Sequence, residues 1–147
     1  MIVVWRKRLP AAQVADMAAP ALAMGAAIGR IGCFLNGCCY GKLTNIAWAI
    51  PLNGQLRHPT QLYDMAYNLI IFGVLWDIRK RVTREGLLFW LFLLMYSVGR
   101  FGVEFFRVNP RILAGLSGSQ IFSLILFLVS AGVIVFKYKP WLGKKGG

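Results

Sequence analysis

Residues 86–106 read GLLFWLFLLMYSVGRFGVEFF, and this stretch decides the fold. It is an apolar run interrupted only by Arg100 and Glu104, and it has the ~20-residue length a helix needs to cross ~30 Å of hydrocarbon. Its apolar residues are consecutive, not alternating, which excludes a strand of a membrane barrel. A backbone in lipid must satisfy its own hydrogen bonds, and a helix does so. Three other stretches read alike. Residues 14–34 carry Arg30. Residues 61–76 open with polar side chains and close before Asp77-Ile78-Arg79-Lys80-Arg81. Residues 120–138 carry a charge only at Lys137, near their end. The expected fold is all-α, an integral membrane helical bundle of about four spans forming a single transmembrane domain over residues 1–147.

The whole composition agrees. Of 147 residues 58% are hydrophobic and 15% charged, with a mean hydropathy of +0.60. A soluble domain is roughly 45–50% apolar, so disorder, a disulfide scaffold and a soluble dinucleotide-binding domain are excluded. Lys and Arg number 17 against 5 Asp and Glu, a formal net charge of +12. Eleven of the basic residues (Arg6, Lys7, Arg8, Arg79, Lys80, Arg81, Arg84, Lys137, Lys139, Lys144, Lys145) fall on one side of the spans. Lys42, Arg57, Arg107 and Arg111 fall on the other. The positive-inside rule therefore predicts cytoplasmic termini, with the loops at 40–60 and 107–119 facing outward. The basic excess reads as topology and anionic-lipid contact, with no nucleic acid partner. Met1-Ile2-Val3-Val4-Trp5 is too short to span and reads as a stump, either an interfacial anchor or the end of an earlier helix. Residues 143–147 are a basic, glycine-rich tail.

Arg30 and Arg100 do not belong in lipid. Counted from Met17 and Leu87 each lies thirteen residues into its span, or ~20 Å at 1.5 Å per residue. Each sits in the same frame, Gly29-Arg30-Ile31-Gly32 and Gly99-Arg100-Phe101-Gly102. A charge at the helix centre costs ~2.5–3.5 kcal/mol, so such a residue has a function or a partner. One reading is snorkelling, or for Arg100 a pair with Glu104 four residues on. The other is a pair of guanidinium forks gripping a phosphate, which at that depth belongs to a phospholipid. The flanking glycines let backbones or a ligand come close.

His58, the single histidine, lies in His58-Pro59-Thr60-Gln61-Leu62-Tyr63-Asp64 where the outward loop enters the second span. Pro59 keeps His58 extended and Thr60 is placed to cap the helix. His58 either moves a proton near neutral pH or merely bonds the helix start. Gln61 and Tyr63 either orient a polar headgroup or occupy the interface. Cys33, Cys38 and Cys39 lack paired CxxC spacing, so zinc with His58 as fourth ligand is disfavoured and no metal site is expected. Three cysteines cannot all pair within one chain. Packing is their commonest role, with a disulfide or a thiol nucleophile as the alternatives.

Four strings occur together in this order: Gly29-Arg30-Ile31-Gly32-Cys33-Phe34-Leu35-Asn36-Gly37-Cys38-Cys39-Tyr40-Gly41; His58-Pro59-Thr60-Gln61-Leu62-Tyr63; Tyr96-Ser97-Val98-Gly99-Arg100-Phe101-Gly102-Val103-Glu104-Phe105-Phe106-Arg107; and Leu116-Ser117-Gly118-Ser119-Gln120. From about Arg6 to Tyr138 the chain resembles the phosphatidylglycerol–prolipoprotein diacylglyceryl transferase family. The resemblance implies an enzyme of lipoprotein biosynthesis in the bacterial cytoplasmic membrane, its site toward the outer leaflet. The reaction it implies moves diacylglyceryl from phosphatidylglycerol to the lipobox cysteine thiol of a prolipoprotein. A thioether forms, glycerol phosphate leaves, and no cofactor is needed. It implies Arg30 and Arg100 as the essential arginines and Glu104 as orienting Arg100 or sharing proton transfer. His58 becomes a candidate base for the thiol. The resemblance implies Asn36, Gly37, Gly41 and Arg107 as substrate-binding residues, and Gln61 and Tyr63 join that set on the reading of the loop above.

The chain departs from that pattern twice. Cys33 stands where the family signature has Asn, and Cys38 where it has Glu. The front spans of the seven-span family fold, with their His-Gly-Gly motif, have no counterpart, so the chain is expected to represent its C-terminal half. The rival readings are a non-catalytic phospholipid-binding membrane protein derived from this family and a thiol-redox or metal protein. Nothing in the sequence fixes the oligomeric state.

Overall fold

The computed structural model describes residues 10–52, 54–113 and 115–142; the expected stump at 1–5, the basic cluster at 6–8 and the tail at 143–147 lie outside them. Four helices follow one another: α1 (Ala11–Leu35), α2 (Thr60–Ile78), α3 (Leu87–Glu104) and α4 (Gly118–Leu142). Two small antiparallel hairpins interrupt the connections at one end of the bundle. β1 (Ile50–Leu52) pairs with β2 (Gln55–Arg57), Ile50 opposite Arg57, and β3 (Arg111–Leu113) pairs with β4 (Leu116–Ser117). Bridges Gly41–Arg107 and Leu43–Arg57 tie the two loops together.

The helices start close to the expected spans, but one differs in kind. α1, α3 and α4 are long and apolar enough to cross a membrane by length and composition. α2, with 19 residues, is not among them. Its polar side chains Thr60, Gln61, Asp64 and Asn68 are buried together with Ile71 and Leu75, on one stripe of the helix. The expected span at 61–76 is therefore a two-faced helix that turns its polar stripe toward its neighbours, where lipid does not strand the polar groups, while Leu69, Ile70, Val74 and Trp76 stay exposed.

Small residues set the close packing. Ala19, Ala23 and Ala27 of α1 repeat every four residues and are fully buried. Ala19 and Ala23 join Ile71 and Leu75 of α2 and Leu88 and Phe92 of α3 in the core cluster. Lipid tails are as apolar as leucine, so it is this van der Waals fit that holds the helices together, with water expulsion contributing little.

The end opposite the hairpins is fastened by one acidic side chain. α3 begins at Gly86 in a left-handed conformation without a side-chain cap of its own. Asp16 of α1 accepts hydrogen bonds from Gly86 N at 2.6 Å and Phe89 N at 2.8 Å. A carboxylate there satisfies amides that a helix start leaves unpaired and opposes the positive end of its dipole. From α4, the Tyr138 hydroxyl donates to Glu85 O at 2.8 Å. α4 carries a reciprocal cap: Gln120 N donates to Ser117 Oγ at 3.3 Å while Ser117 N donates to Gln120 Oε1 at 3.0 Å, the geometry of a capping box.

Candidate functional site

Arg30 and Arg100 converge. Arg30 Nε lies 3.1 Å from Asp64 Oδ2, and Arg100 Nη1 lies 3.5 Å from the same oxygen. Arg100 Nη2 lies 3.8 Å from Glu104 Oε2. The four side chains form one chain of alternating charge across α1, α2 and α3. Asp64 and Glu104 are 3% and 1% exposed, the two arginines 23% and 17%. The carboxylates are sealed within the bundle while the guanidiniums reach partly out of it. Buried charges persist only when paired and hydrogen-bonded, and Glu104 is anchored further. Glu104 Oε1 accepts from Ser117 Oγ at 2.7 Å and from Asn109 Nδ2. Arg100 Nη1 and Glu104 Oε2 are buried with no hydrogen bond among the described residues. That leaves a donor on Arg100 uncommitted.

Asp64 is the residue that sequence reading missed. In the sequence it only closes the His58 string, although two intramembrane arginines require counter-charge. Ser117 and Asn109 were missed as well. Ser117 had a readable signal, since Ser-x-x-Gln marks a helix start, and the start of α4 is what brings its hydroxyl to Glu104.

Beside Glu104 a cleft of about 160 Å³ opens, lined by Lys42, Arg107, Asn109, Ser117 and Gln120 among others. Arg107 enters it because Gly41 and Arg107 bridge, with Lys42 N donating to Phe106 O at 2.8 Å. Lys42 and Arg107 line this cleft with Glu104, and Glu104 in turn pairs with Arg100, so the cleft adjoins the arginine pair and carries an excess of positive charge suited to an anionic group.

His58 and Tyr63 belong to a second cluster. His58 Nδ1 and the Tyr63 hydroxyl share a hydrogen bond of 3.2 Å, and Trp48 Nε1 donates to the same hydroxyl at 2.8 Å. The Phe106 ring packs on both, 5.2 Å from the His58 ring and 5.8 Å from that of Tyr63. The structure gives no direct contact between His58 and the arginine pair.

The remaining expected residues divide. Gln61 is buried and its Nε2 donates to Cys38 O, so it braces the loop from within. Gly41 is buried, and a Cβ there would strike Phe106 O, Thr60 Cγ2 and His58 Cβ. Its amide donates to His58 O at 2.9 Å. It is a packing point where two loops cross. Asn36 and Gly37 are exposed at the end of α1, where Asn36 N donates to Gly32 O and Gly37 has φ +66°. The two glycine frames also differ. A Cβ on Gly99 would overlap the Tyr67 ring, whereas Gly29, Gly32 and Gly102 face open space.

The three cysteines come together. Their sulfurs all lie within 4.8 Å of one another, with Cys39 Sγ 3.5 Å from Cys38 Sγ, and all three are free thiols. Hydrogen bonding with Cys39 is the largest cause that pushes the Cys38 thiol above its ordinary pKa, followed by loss of hydration and the charge of a neighbouring thiolate.

Comparison with known proteins follows the same line. A family model described as prolipoprotein diacylglyceryl transferase matches residues 1–136. Proteins named phosphatidylglycerol–prolipoprotein diacylglyceryl transferase are similar over most of the chain. The one from Clostridium tetani is 39% identical over 141 residues, covering 89% of this chain and 55% of the relative. That from Dehalococcoides mccartyi is 35% identical over 133 residues, covering 84% and 51%. That from Geobacter sulfurreducens is 35% identical over 146 residues, covering 94% and 56%. The chain spans about half the length of the curated relatives it matches.

Proposed function

The chain belongs to the prolipoprotein diacylglyceryl transferase family, and from that premise we propose that it contributes the phosphate-binding centre for transfer of diacylglyceryl from phosphatidylglycerol to a prolipoprotein cysteine. The observation that carries this reading is the meeting of Arg30 and Arg100 on Asp64. In the reaction a thiol sulfur attacks the glyceryl carbon next to the phosphate. The S–C bond forms, the C–O bond to phosphorus breaks, and glycerol phosphate departs with the electron pair.

The arginines do two things in this scheme. They attract the anionic headgroup, and they stabilise the charge that gathers on the leaving phosphate, a form of transition-state stabilisation typically worth ~10²–10³ in rate per donor. Asp64 holds the two forks at a fixed separation before substrate arrives, so little reorganisation is needed. Glu104 orients Arg100, and Ser117 and Asn109 orient Glu104. Arg107 and Lys42 guide the headgroup through the cleft. His58 is the proposed acceptor of the thiol proton: in the tautomer that donates Nδ1–H to the Tyr63 hydroxyl, Nε2 is the nitrogen that takes it.

The placement proposed is the bacterial cytoplasmic membrane, termini on the cytoplasmic face and arginine centre toward the outer leaflet. That orientation rests on the distribution of basic residues. Residues 1–147 form one transmembrane domain in this proposal, corresponding to the C-terminal half of the seven-span family fold.

The test is an assay of vesicles containing phosphatidylglycerol and a lipobox peptide. It is run with the chain alone and with a form extended by the remaining half of a relative. We expect thioether product from at least one of these, abolished by Arg30→Ala or Arg100→Ala. Phosphatidylglycerol binding without product in either form would instead make the protein a lipid binder.

A further inference from the structure

We propose that Cys33, Cys38 and Cys39 form a trigonal thiolate site for a soft monovalent metal ion, Cu(I), independent of the transferase reading. The three sulfurs lie within 4.8 Å of one another, and among the described residues the group contains no histidine or carboxylate. A donor set made only of sulfur selects soft d¹⁰ ions. Zinc prefers a tetrahedron and needs a fourth ligand, whereas Cu(I) is content with three.

The backbone is shaped for this convergence. Adjacent side chains ordinarily diverge, yet Cys38 and Cys39 point their sulfurs to within 3.5 Å. They do so because Cys39 adopts φ +67°, the one positive φ at a non-glycine residue among those described. A left-handed residue with a Cβ is strained, and such strain persists only where its surroundings enforce it. The enforcing bonds are present. Cys38 N donates to Cys33 O at 3.2 Å, Thr60 Oγ1 donates to Cys39 O at 2.9 Å, and Gln61 Nε2 donates to Cys38 O. Gly37 at φ +66° supplies the preceding turn. The loop is therefore held on one side by the end of α1 and on the other by the start of α2.

Binding is an exchange. One Cu(I) forms three Cu–S bonds, and the three S–H protons pass to solvent, with no change of oxidation state. The resulting anionic complex lies in a loop that Arg57 also reaches, its guanidinium donating to Gly41 O at 3.5 Å. Cys39 is exposed and Cys33 and Cys38 are half-buried, so the ion has a path of entry.

The test is anaerobic titration of the full chain in detergent with Cu(I) supplied as its acetonitrile complex, in competition with a chromophoric Cu(I) chelator. One copper per chain should be retained, with sulfur as the only scatterer in its first X-ray absorption shell. Cys33→Ser, Cys38→Ser and Cys39→Ser should each weaken binding by at least about tenfold, since loss of even an outer-shell group costs that much. Cys39→Gly relieves the positive φ, so it should fold at least as well and still lose that affinity. Affinity unchanged in Cys39→Gly would overturn the proposal. So would single substitutions that each remove a third of the copper without weakening the rest, the pattern of independent thiols. Nitrogen or oxygen scatterers in the first shell, or a disulfide that leaves one titratable thiol in the protein as isolated, would do the same.

Discussion

The Asp64 carboxylate of α2 holds the Arg30 guanidinium of α1 at 3.1 Å, and through the same oxygen it reaches Arg100 of α3. One acidic group therefore bridges the charged side chains of two helices at once. Asp64→Asn keeps the shape and removes the charge, leaving two poorly hydrated guanidiniums facing each other. Loss of one partner of a buried ion pair costs about 3–5 kcal/mol. We expect a fall of that size in unfolding free energy in mild detergent, with partial recovery in Asp64→Glu. A stability unchanged in Asp64→Asn would mean that the arginines are neutralised elsewhere.

Replacing either arginine by lysine separates charge from geometry. Lysine retains the positive charge but lacks the planar fork that meets two phosphate oxygens together. Arg30→Lys and Arg100→Lys should each lower diacylglyceryl transfer by about 10²-fold or more. Rates within a few fold of the parent would show that charge alone suffices and would remove the bidentate clamp.

The paired glycine frames predict opposite outcomes. Gly99→Ala drives a methyl group into the Tyr67 ring and should cost about 1–3 kcal/mol, as overpacking does. Gly29→Ala meets nothing and removes helix-interior flexibility, so it should stabilise the fold by roughly 0.5–1 kcal/mol. Thermal unfolding of the two variants side by side checks the difference in sign.

Asp16→Ala strips the cap from the start of α3 without touching the arginine centre. A lost cap typically costs ~1 kcal/mol, and we expect that decrease in stability with headgroup binding unchanged. A loss of lipid affinity out of proportion to the loss of fold would place Asp16 in the site after all.

The helices were legible because lipid imposes length and apolarity on a segment regardless of its neighbours. The arginines stood out for the same reason. Their partner did not, since which charge faces which depends on how helices are rotated about their axes, and no spacing along one segment encodes that. Asp64 lies on the buried stripe with Thr60, Gln61 and Asn68, a face whose partners emerge only once the rotation of that helix against α1 and α3 is known. The β1–β2 hairpin did carry a local signal, Asn53-Gly54 after the apolar string Ile50-Pro51-Leu52, a pair strongly favoured in two-residue hairpin turns. The role of Gly41 as a crossing point between loops had no local signal at all.

The knot at Gly86, where Asp16 and Tyr138 draw three helices together, makes that end a fulcrum. From Leu87 to Glu104 the axis extends ~25 Å at 1.5 Å per residue, so a tilt of about 5° about the fulcrum swings the far end by roughly 2 Å. The ionic chain sits on the long arm of that lever, where modest rocking is enough to widen or narrow the distance between guanidiniums.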